Sequence, residues 1–431
     1  MKSLCFLVLF IFSLVLIKSM YGTLKTPVTC FTSLWLFVGF ISNLGLYDYF
    51  LPSDIVNIAM IAGSVIFFVA YSFFIKGTKK SFFVNNKCIE DDSISVKVFT
   101  IINVLCILFT IPTLKNAMNA LRAHGSLSVI RGNIVNIYSS NIISELFTGF
   151  IRPVFIATTL IFIVYSFGGR NKKYKYLLGI FAIIETFIMA FISAGRAPFV
   201  NFAVYYIIAL IMFKGERLVY LVKKEKKKIF FIFLLFIGVL YITQLRSTDK
   251  VSSESLWESL YIYYFSGPSY MSQLLKNNTL YGPQGKLLYG TATFGFITNI
   301  FAYIYMIFTG KNVGSLYILG STITNHQHWV GEHTLINAMC TAFYPFIVDW
   351  GYIGIIIGPI VTAGIVTFFT FKLKKKKDLK NFAMYVYIIY VLIRTVFKWD
   401  LLPFDMPIIL ITTSIYTDFW KKFKKKELKR V

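Results

Sequence analysis

Apolar runs close to the length of a bilayer crossing recur from one end of the chain to the other, each closed off by a short polar loop. A helix needs about 20 apolar residues to traverse the hydrocarbon layer. Such runs are read at Leu4–Ile17, Val28–Tyr47, Ile55–Ile75, Val98–Leu114, Leu146–Phe167, Tyr176–Ser193, Ala197–Phe213, Ile229–Leu245, Tyr352–Phe371, Phe382–Phe397 and Phe404–Trp420. The expected fold class is therefore all-α: a polytopic integral membrane protein of about 11 transmembrane helices. Leu4–Ile17 is short, but it carries no small-x-small cleavage site and is followed by Lys18, so it reads as a span and not as a signal peptide. Thr291–Phe308 is apolar and aromatic, and reads as a hairpin or an in-plane helix. If it crosses with a partner such as Leu256–Leu275, the count rises to 13.

Composition supports this reading. Of the 431 residues 57% are hydrophobic and only 15% charged, whereas a soluble domain carries roughly 25% charged residues. The 45 Phe and 27 Tyr suit rings placed in lipid and at its interfaces. A net charge of +25 would suggest nucleic acid in a soluble protein. Here the lysines sit in short blocks between apolar runs: Lys79-Lys80, Lys172-Lys173, Lys223 to Lys228, Lys374 to Lys377, Lys421 to Lys426. That is the pattern of topology signals, and it argues against nucleic acid as a partner. The blocks can also hold anionic lipid headgroups. The five cysteines are scattered without paired spacing, which gives neither a disulfide framework nor a metal cluster.

The positive-inside rule orients the chain. Alternate loops beginning with Lys18 to Lys25 hold 31 of the 44 Lys and Arg residues. Those loops are expected in the cytoplasm, with the C-terminus inside and the N-terminus outside. Three parts follow: a transmembrane bundle over 1–245, a long outer loop over 246–351, and C-terminal helices with a basic tail over 352–431.

The long outer loop shifts to Ser, Thr, Asn, Gly and Tyr and carries turn signals at Ser266-Gly267-Pro268 and Gly282-Pro283. Loops of this length are functional or disordered, and this one is expected to be folded. His326, His328 and His333 lie in it, and His124 lies in the other sizeable outer loop, Lys115 to Glu145. Every histidine thus falls on the outer face. Three readings stay open for His326-Gln327-His328-Trp329-Val330-Gly331-Glu332-His333: a zinc site, for which the spacing matches no established ligand pattern; a general base, with His333 the candidate; and structural hydrogen bonding.

Arginine, rare in the cytoplasmic blocks, recurs at outer positions near the membrane. Arg196 sits in the tight connection Ser193-Ala194-Gly195-Arg196, Arg246 at the mouth of its span, and Arg152 just inside another span before Pro153. The guanidinium fork holds phosphate oxygens at two points, where Lys acts as a point charge. Each arginine is either a headgroup anchor or part of an anion site. Glu185 lies mid-span, eleven residues before Arg196. Eleven steps of about 100° return to nearly the same helix face. Glu185, Met189, Ile192 and Arg196 then form one stripe, provided Gly195 does not end the helix. A polar cavity and a purely structural interhelical bond are both open readings for Glu185.

On these residues the chain resembles the Wzy-type polysaccharide repeat-unit polymerases, which include O-antigen and capsule polymerases, and more distantly the O-antigen ligases. The likeness covers most of the chain: many spans, a long outer loop late in the sequence, and two or three spans after it. Its local matches are Ser193-Ala194-Gly195-Arg196, Arg246-Ser247 opening the loop, and His333-Thr334-Leu335-Ile336-Asn337 leading to Asp349-Trp350-Gly351-Tyr352-Ile353-Gly354. In the ligase branch a histidine precedes a Gly-x-x-Gly entering a helix; here the gap is longer and contains Tyr344-Pro345.

The resemblance implies an enzyme of the bacterial plasma membrane working at the outer leaflet on undecaprenyl-diphosphate-linked oligosaccharides, with a chain-length regulator and a flippase as possible partners. It implies neither a cofactor nor a metal. Arg196 and Arg246 would stabilise the leaving diphosphate, and His333 would accept the proton of the attacking hydroxyl. Arg152, Glu185, His328, Glu332 and Asp349 would contact substrate, with Glu332 or Asp349 orienting His333. Tyr261, Tyr263, Tyr264, Trp257 and Trp329 would line a sugar groove or, equally, form an interfacial aromatic belt. A flippase or other transporter, an O-antigen ligase, and a non-catalytic scaffold or acyltransferase stand as alternatives.

Overall fold

The computed structural model describes residues 1–76, 89, 93–124, 141–193, 195–214, 258, 261, 264–309, 328–332, 334–336, 340–401, 403 and 405–427. The described chain is mostly helical. Its helices are α1 (Lys2–Tyr21), α2 (Leu34–Ser42), α3 (Asp54–Phe74), α4 (Val96–His124), α5 (Asn141–Leu146), α6 (Arg152–Gly168), α7 (Lys172–Ile192), α8 (Ala197–Lys214), α9 (Gly267–Asn277), α10 (Gly295–Thr309), α11 (Phe343–Trp350), α12 (Gly354–Lys375), α13 (Leu379–Arg394) and α14 (Asp405–Glu427). Wide π-type turns, Thr29–Ser33 and Phe147–Ile151, lead into α2 and α6. One small antiparallel pair, β1 (His328–Trp329) and β2 (Leu335–Ile336), pairs His328 with Ile336 and Trp329 with Leu335.

Ten of the eleven apolar runs coincide with helices; Ile229–Leu245 lies outside the described residues. Six helical stretches are long and apolar enough to cross a membrane by themselves: Lys2–Tyr21, Asp54–Phe74, Val96–Ala123, Phe147–Gly168, Lys172–Ile192 and Phe343–Lys375. The chain is accordingly a helical, membrane-embedded protein. Thr291–Phe308 resolves into α10, whose 15 residues rise about 22 Å, short of a crossing. Its Ile297, Phe301, Ile304, Tyr305 and Phe308 are exposed, as suits a helix lying against lipid.

The chain divides into two compact units. The first combines Met1–Phe83, Ser253–Phe371 and Ile388–Phe404. Its core is aromatic: Trp35 is fully buried, meets Phe343 at 4.6 Å between ring centres, and donates its indole N–H to Thr395 Oγ1 at 3.0 Å. Close approach dictates small residues here. A Cβ on Gly354 would fall 2.0 Å from the carbonyl oxygen of Phe346, so only glycine lets α12 start against the end of α11.

The second unit combines Val84–Ser252, Lys372–Tyr387 and Asp405–Val431. In it α6 packs against α7, α8 and α14, and α4 packs against α7. Asn171 caps α7, accepting from the N–H groups of Lys173 at 2.9 Å and Tyr174 at 3.4 Å, the satisfaction a helix start requires.

Loops expected on one membrane face meet each other within each unit. In the first, Lys2 pairs with Asp54 and Ser42 Oγ donates to Phe265 O at 2.7 Å on one side, while Tyr21 OH and Ser72 Oγ lie 2.6 Å apart on the other. In the second, Arg152 pairs with Asp405 at one end, and Gly168 lies against Ile89 at the other. These contacts join helix ends that the lysine pattern expects on the same side.

Candidate functional site

The long segment after residue 246 carries a cap in the first unit. Its β-pair turns through Val330, Gly331 and Glu332, and Val330 N–H donates to Thr334 O at 3.0 Å. This turn is stitched to the loop after α2: Phe50 N–H donates to Val330 O at 2.8 Å, and Tyr49 bridges to Gly331. A Cβ on Gly331 would sit 2.9 Å from Asp48 O, so the approach needs glycine. Below, α9 supports the same loop, with Ser269 Oγ donating to Phe50 O at 2.5 Å and Ser272 Oγ accepting from Ser53 N–H at 2.9 Å.

His328 is half-buried on this cap. Its ring meets Tyr270 edge-on at 5.7 Å, and its Nδ1 lies 3.5 Å from Asn277 Nδ2. Glu332 is exposed at the turn. His326, His333, Trp257 and Tyr263 lie outside the described residues. Of the expected groove aromatics, Tyr264 and Trp329 are exposed. Tyr261 is not a groove wall: it is buried, with its ring 5.4 Å from Tyr47 and 5.2 Å from Tyr49, and it donates to Ile41 O at 3.2 Å.

Asp349 is fully buried near the end of α11, and both its carboxylate oxygens accept from the backbone. Its Oδ1 accepts from Ala292 N–H at 2.9 Å and its Oδ2 from Thr293 N–H at 2.6 Å. Trp399 fixes the same turn by donating its indole N–H to Thr293 O at 2.8 Å. This carboxylate ties the start of α10 to α11; His333, which it was expected to orient, lies outside the described residues.

Three charged residues that sequence reasoning passed over cluster at the end of α13. Arg394 Nε lies 2.8 Å and Lys398 Nζ 3.2 Å from the two oxygens of Asp400, and Arg394 Nη1 donates to Tyr390 OH at 2.7 Å. Two cations share one carboxylate, leaving a net positive charge beside Lys398, whose backbone bridges to Thr341. Arg-x-x-x-Lys-x-Asp closing an apolar run was the readable signal.

In the second unit Arg152 is held by Asp405, one Nη2 reaching both carboxylate oxygens at 2.7 and 2.9 Å. Asp405 stands in the first turn of α14, where the helix dipole also favours a negative charge. The pair is part-exposed, 37% for Arg152 and 14% for Asp405, so it contributes about 1–2 kcal/mol and not the several of a dry ion pair. We expect Arg152→Gln and Asp405→Asn each to lower the thermal unfolding midpoint in detergent, and the double variant to lose clearly less than the sum. Strict additivity would return Arg152 to the pool of ligand-binding groups.

Glu185 and Arg196 do not form one stripe. The helix of Glu185 ends at Ile192, where Ser193 Oγ turns back to Met189 O at 2.7 Å and Gly195 N–H to Ala190 O at 3.0 Å. Arg196, half-buried, instead opens α8, its carbonyl accepting Val200 N–H at 3.2 Å. Gly195 followed by Pro198 was the sequence sign of this break. Arg246 lies outside the described residues.

Glu185 itself is fully buried among four helices. Around it stand Asn103 and Cys106 of α4, Thr158 of α6 and Tyr416 of α14. Asn103 Oδ1 accepts from Thr158 Oγ1 at 2.8 Å and from Tyr416 OH at 3.2 Å, while its amide donates to Phe99 O at 2.9 Å. Asn103, Thr158 and Tyr416 were not anticipated; a lone polar residue within each apolar run was their only trace. No protein-family model, no curated protein and no solved structure matches the chain.

Proposed function

We propose that this protein polymerises oligosaccharide repeat units carried on undecaprenyl diphosphate at the outer leaflet of a bacterial plasma membrane, with eleven spans and a cytoplasmic C-terminus. The observation that carries the reading is the cap of the first unit, where the segment after 246 folds back on the loop before α3. There an exposed Tyr264 and Trp329 and the half-buried His328 belong to the same compact unit as the Arg394–Lys398–Asp400 cluster, and Tyr264 meets Phe397, beside Lys398, at 5.3 Å between ring centres. Aromatic faces suit sugar rings, and clustered cations suit a diphosphate.

In the proposed reaction a hydroxyl oxygen of the incoming repeat unit attacks the anomeric carbon of the growing chain. The bond from that carbon to the diphosphate oxygen breaks, undecaprenyl diphosphate leaves, and the hydroxyl proton passes to His333. Arg196 and Arg246 offset the charge that develops on the diphosphate. Positioning and electrostatics are the main contributions in such a transfer.

One observation favours a second reading. Ionisable groups inside a membrane commonly mark transport pathways, and Glu185 is one, so a flippase is the rival. Deletion in a polysaccharide-producing strain separates the two. Loss of a polymerase leaves single repeat units on the carrier or on lipid at the surface. Loss of a flippase traps units inside, and that result would overturn the proposal. Long lipid-linked polymer would instead identify a ligase.

A further inference from the structure

The hydrogen-bond inventory around Glu185 does not close. Both carboxylate oxygens are buried without a hydrogen-bond partner among the described residues. Thr158 is within reach of the carboxyl, yet its only proton goes to Asn103 Oδ1 at 2.8 Å. The only hydroxyl proton of Tyr416 goes to the same oxygen at 3.2 Å. Thr186, next in the chain, donates back to Ala182 O at 2.6 Å. With its proton on Asn103, Thr158 offers the carboxyl an oxygen lone pair, and the Tyr416 oxygen lies 3.5 Å from that of Thr158. Among the described residues no lysine or arginine pairs with it. A carboxylate facing an oxygen lone pair in a buried interior is strongly disfavoured unless a cation lies between them.

We propose that Glu185 holds a monovalent cation, H⁺ or Na⁺, at the centre of the second unit, with Thr158 and Tyr416 as the neutral oxygen partners. One carboxylate supplies one negative charge, which matches a single positive one, whereas divalent ions generally collect more than one carboxylate. A proton on Glu185 would donate to the Thr158 hydroxyl oxygen. Sodium would take the carboxylate together with the Thr158 and Tyr416 oxygens. Among the described residues, Cys106 of α4 and Tyr416 of α14 are the other ionisable groups close enough to feel the charge on Glu185; the group that α6 presents, Thr158, is neutral. The site follows from four packed helices and holds under either reading of the protein's activity.

The test uses the full-length protein in detergent, comparing wild type with Glu185→Gln. Thermal unfolding is followed while Na⁺ replaces choline at constant ionic strength, and infrared spectra are recorded in H₂O and D₂O. If Na⁺ is the ion, the wild-type midpoint rises by several degrees with Na⁺ and the rise vanishes in Glu185→Gln. If H⁺ is the ion, the midpoint ignores Na⁺, and the wild type shows a carboxylic-acid C=O band that shifts in D₂O and is missing from Glu185→Gln. Neither a Na⁺ response nor such a band overturns the proposal. Should Glu185→Gln fail to fold, Thr158→Val serves in its place: a weakened Na⁺ response or a shifted band supports the site, and an unchanged one overturns it. None of these readouts depends on polymer synthesis, so this proposal and the polymerase reading can fail separately.

Discussion

Asp349→Ala is expected to cost about 2–6 kcal/mol, because it strands two buried N–H donors at about 1–3 kcal/mol each. The two donors, Ala292 and Thr293, lie in the turn that launches α10, and no water-exposed surface is available to replace the lost oxygens. Trp399 depends on the same turn, since its indole N–H reaches Thr293 O. The damage therefore spreads to the segment after α13. Asp349→Asn keeps one acceptor oxygen and turns an amide N–H toward the other donor, so its loss should be intermediate. Fluorescence-detected size-exclusion profiles after a heating series would rank the variants. An alanine variant as heat-resistant as wild type would mean that the clamp does not hold α10. With typical domain stabilities of about 5–15 kcal/mol, a loss at the upper end removes most of the folded protein, so missing polymer in this variant would say nothing about catalysis.

How much of this was legible in the sequence depends on range. Helices at Leu4–Ile17, Val98–Leu114 or Tyr176–Ser193 follow from local apolar content, and the meetings of Lys2 with Asp54 and Tyr21 with Ser72 join residues that the lysine pattern expects on the same side. The length of Thr291–Phe308 left crossing or lying flat open, because 15 helical residues fall between the two regimes. What the sequence hid is pairing at a distance. Arg152 and Asp405 are 253 positions apart, and Asn103 and Tyr416 are 313 apart. Nothing in a local window distinguishes an arginine that awaits a phosphate from one already facing a carboxylate. The same holds for Asp349, whose two backbone donors lie 57 and 56 positions earlier. The Glu185–Arg196 stripe failed for a local reason, the helix break at Ser193 to Gly195, where short side chains and the following Pro198 favour ending one helix and starting another.

Arg196→Lys, Arg246→Lys and His333→Ala are each expected to abolish long polymer while leaving protein levels in the membrane near normal. Lysine keeps the charge but loses the planar fork that meets two phosphate oxygens at once. Groups that stabilise developing charge commonly contribute about 10²–10³-fold in rate. A processive polymer assay amplifies such a loss, because chain length reflects many successive transfers. Arg152→Gln is the informative contrast: its guanidinium is held by Asp405, so it should lower the amount of folded protein and leave the polymer made per molecule largely intact. Arg394→Gln tests the cluster at the end of α13, where the loss of one of two cations sharing Asp400 should shorten chains if the diphosphate is held there. Full-length polymer from both Arg196→Lys and Arg246→Lys would remove the diphosphate clamp. Normal output from His333→Ala would remove that histidine as the base and leave His328, half-buried against Tyr270 on the same cap, as the next group to replace.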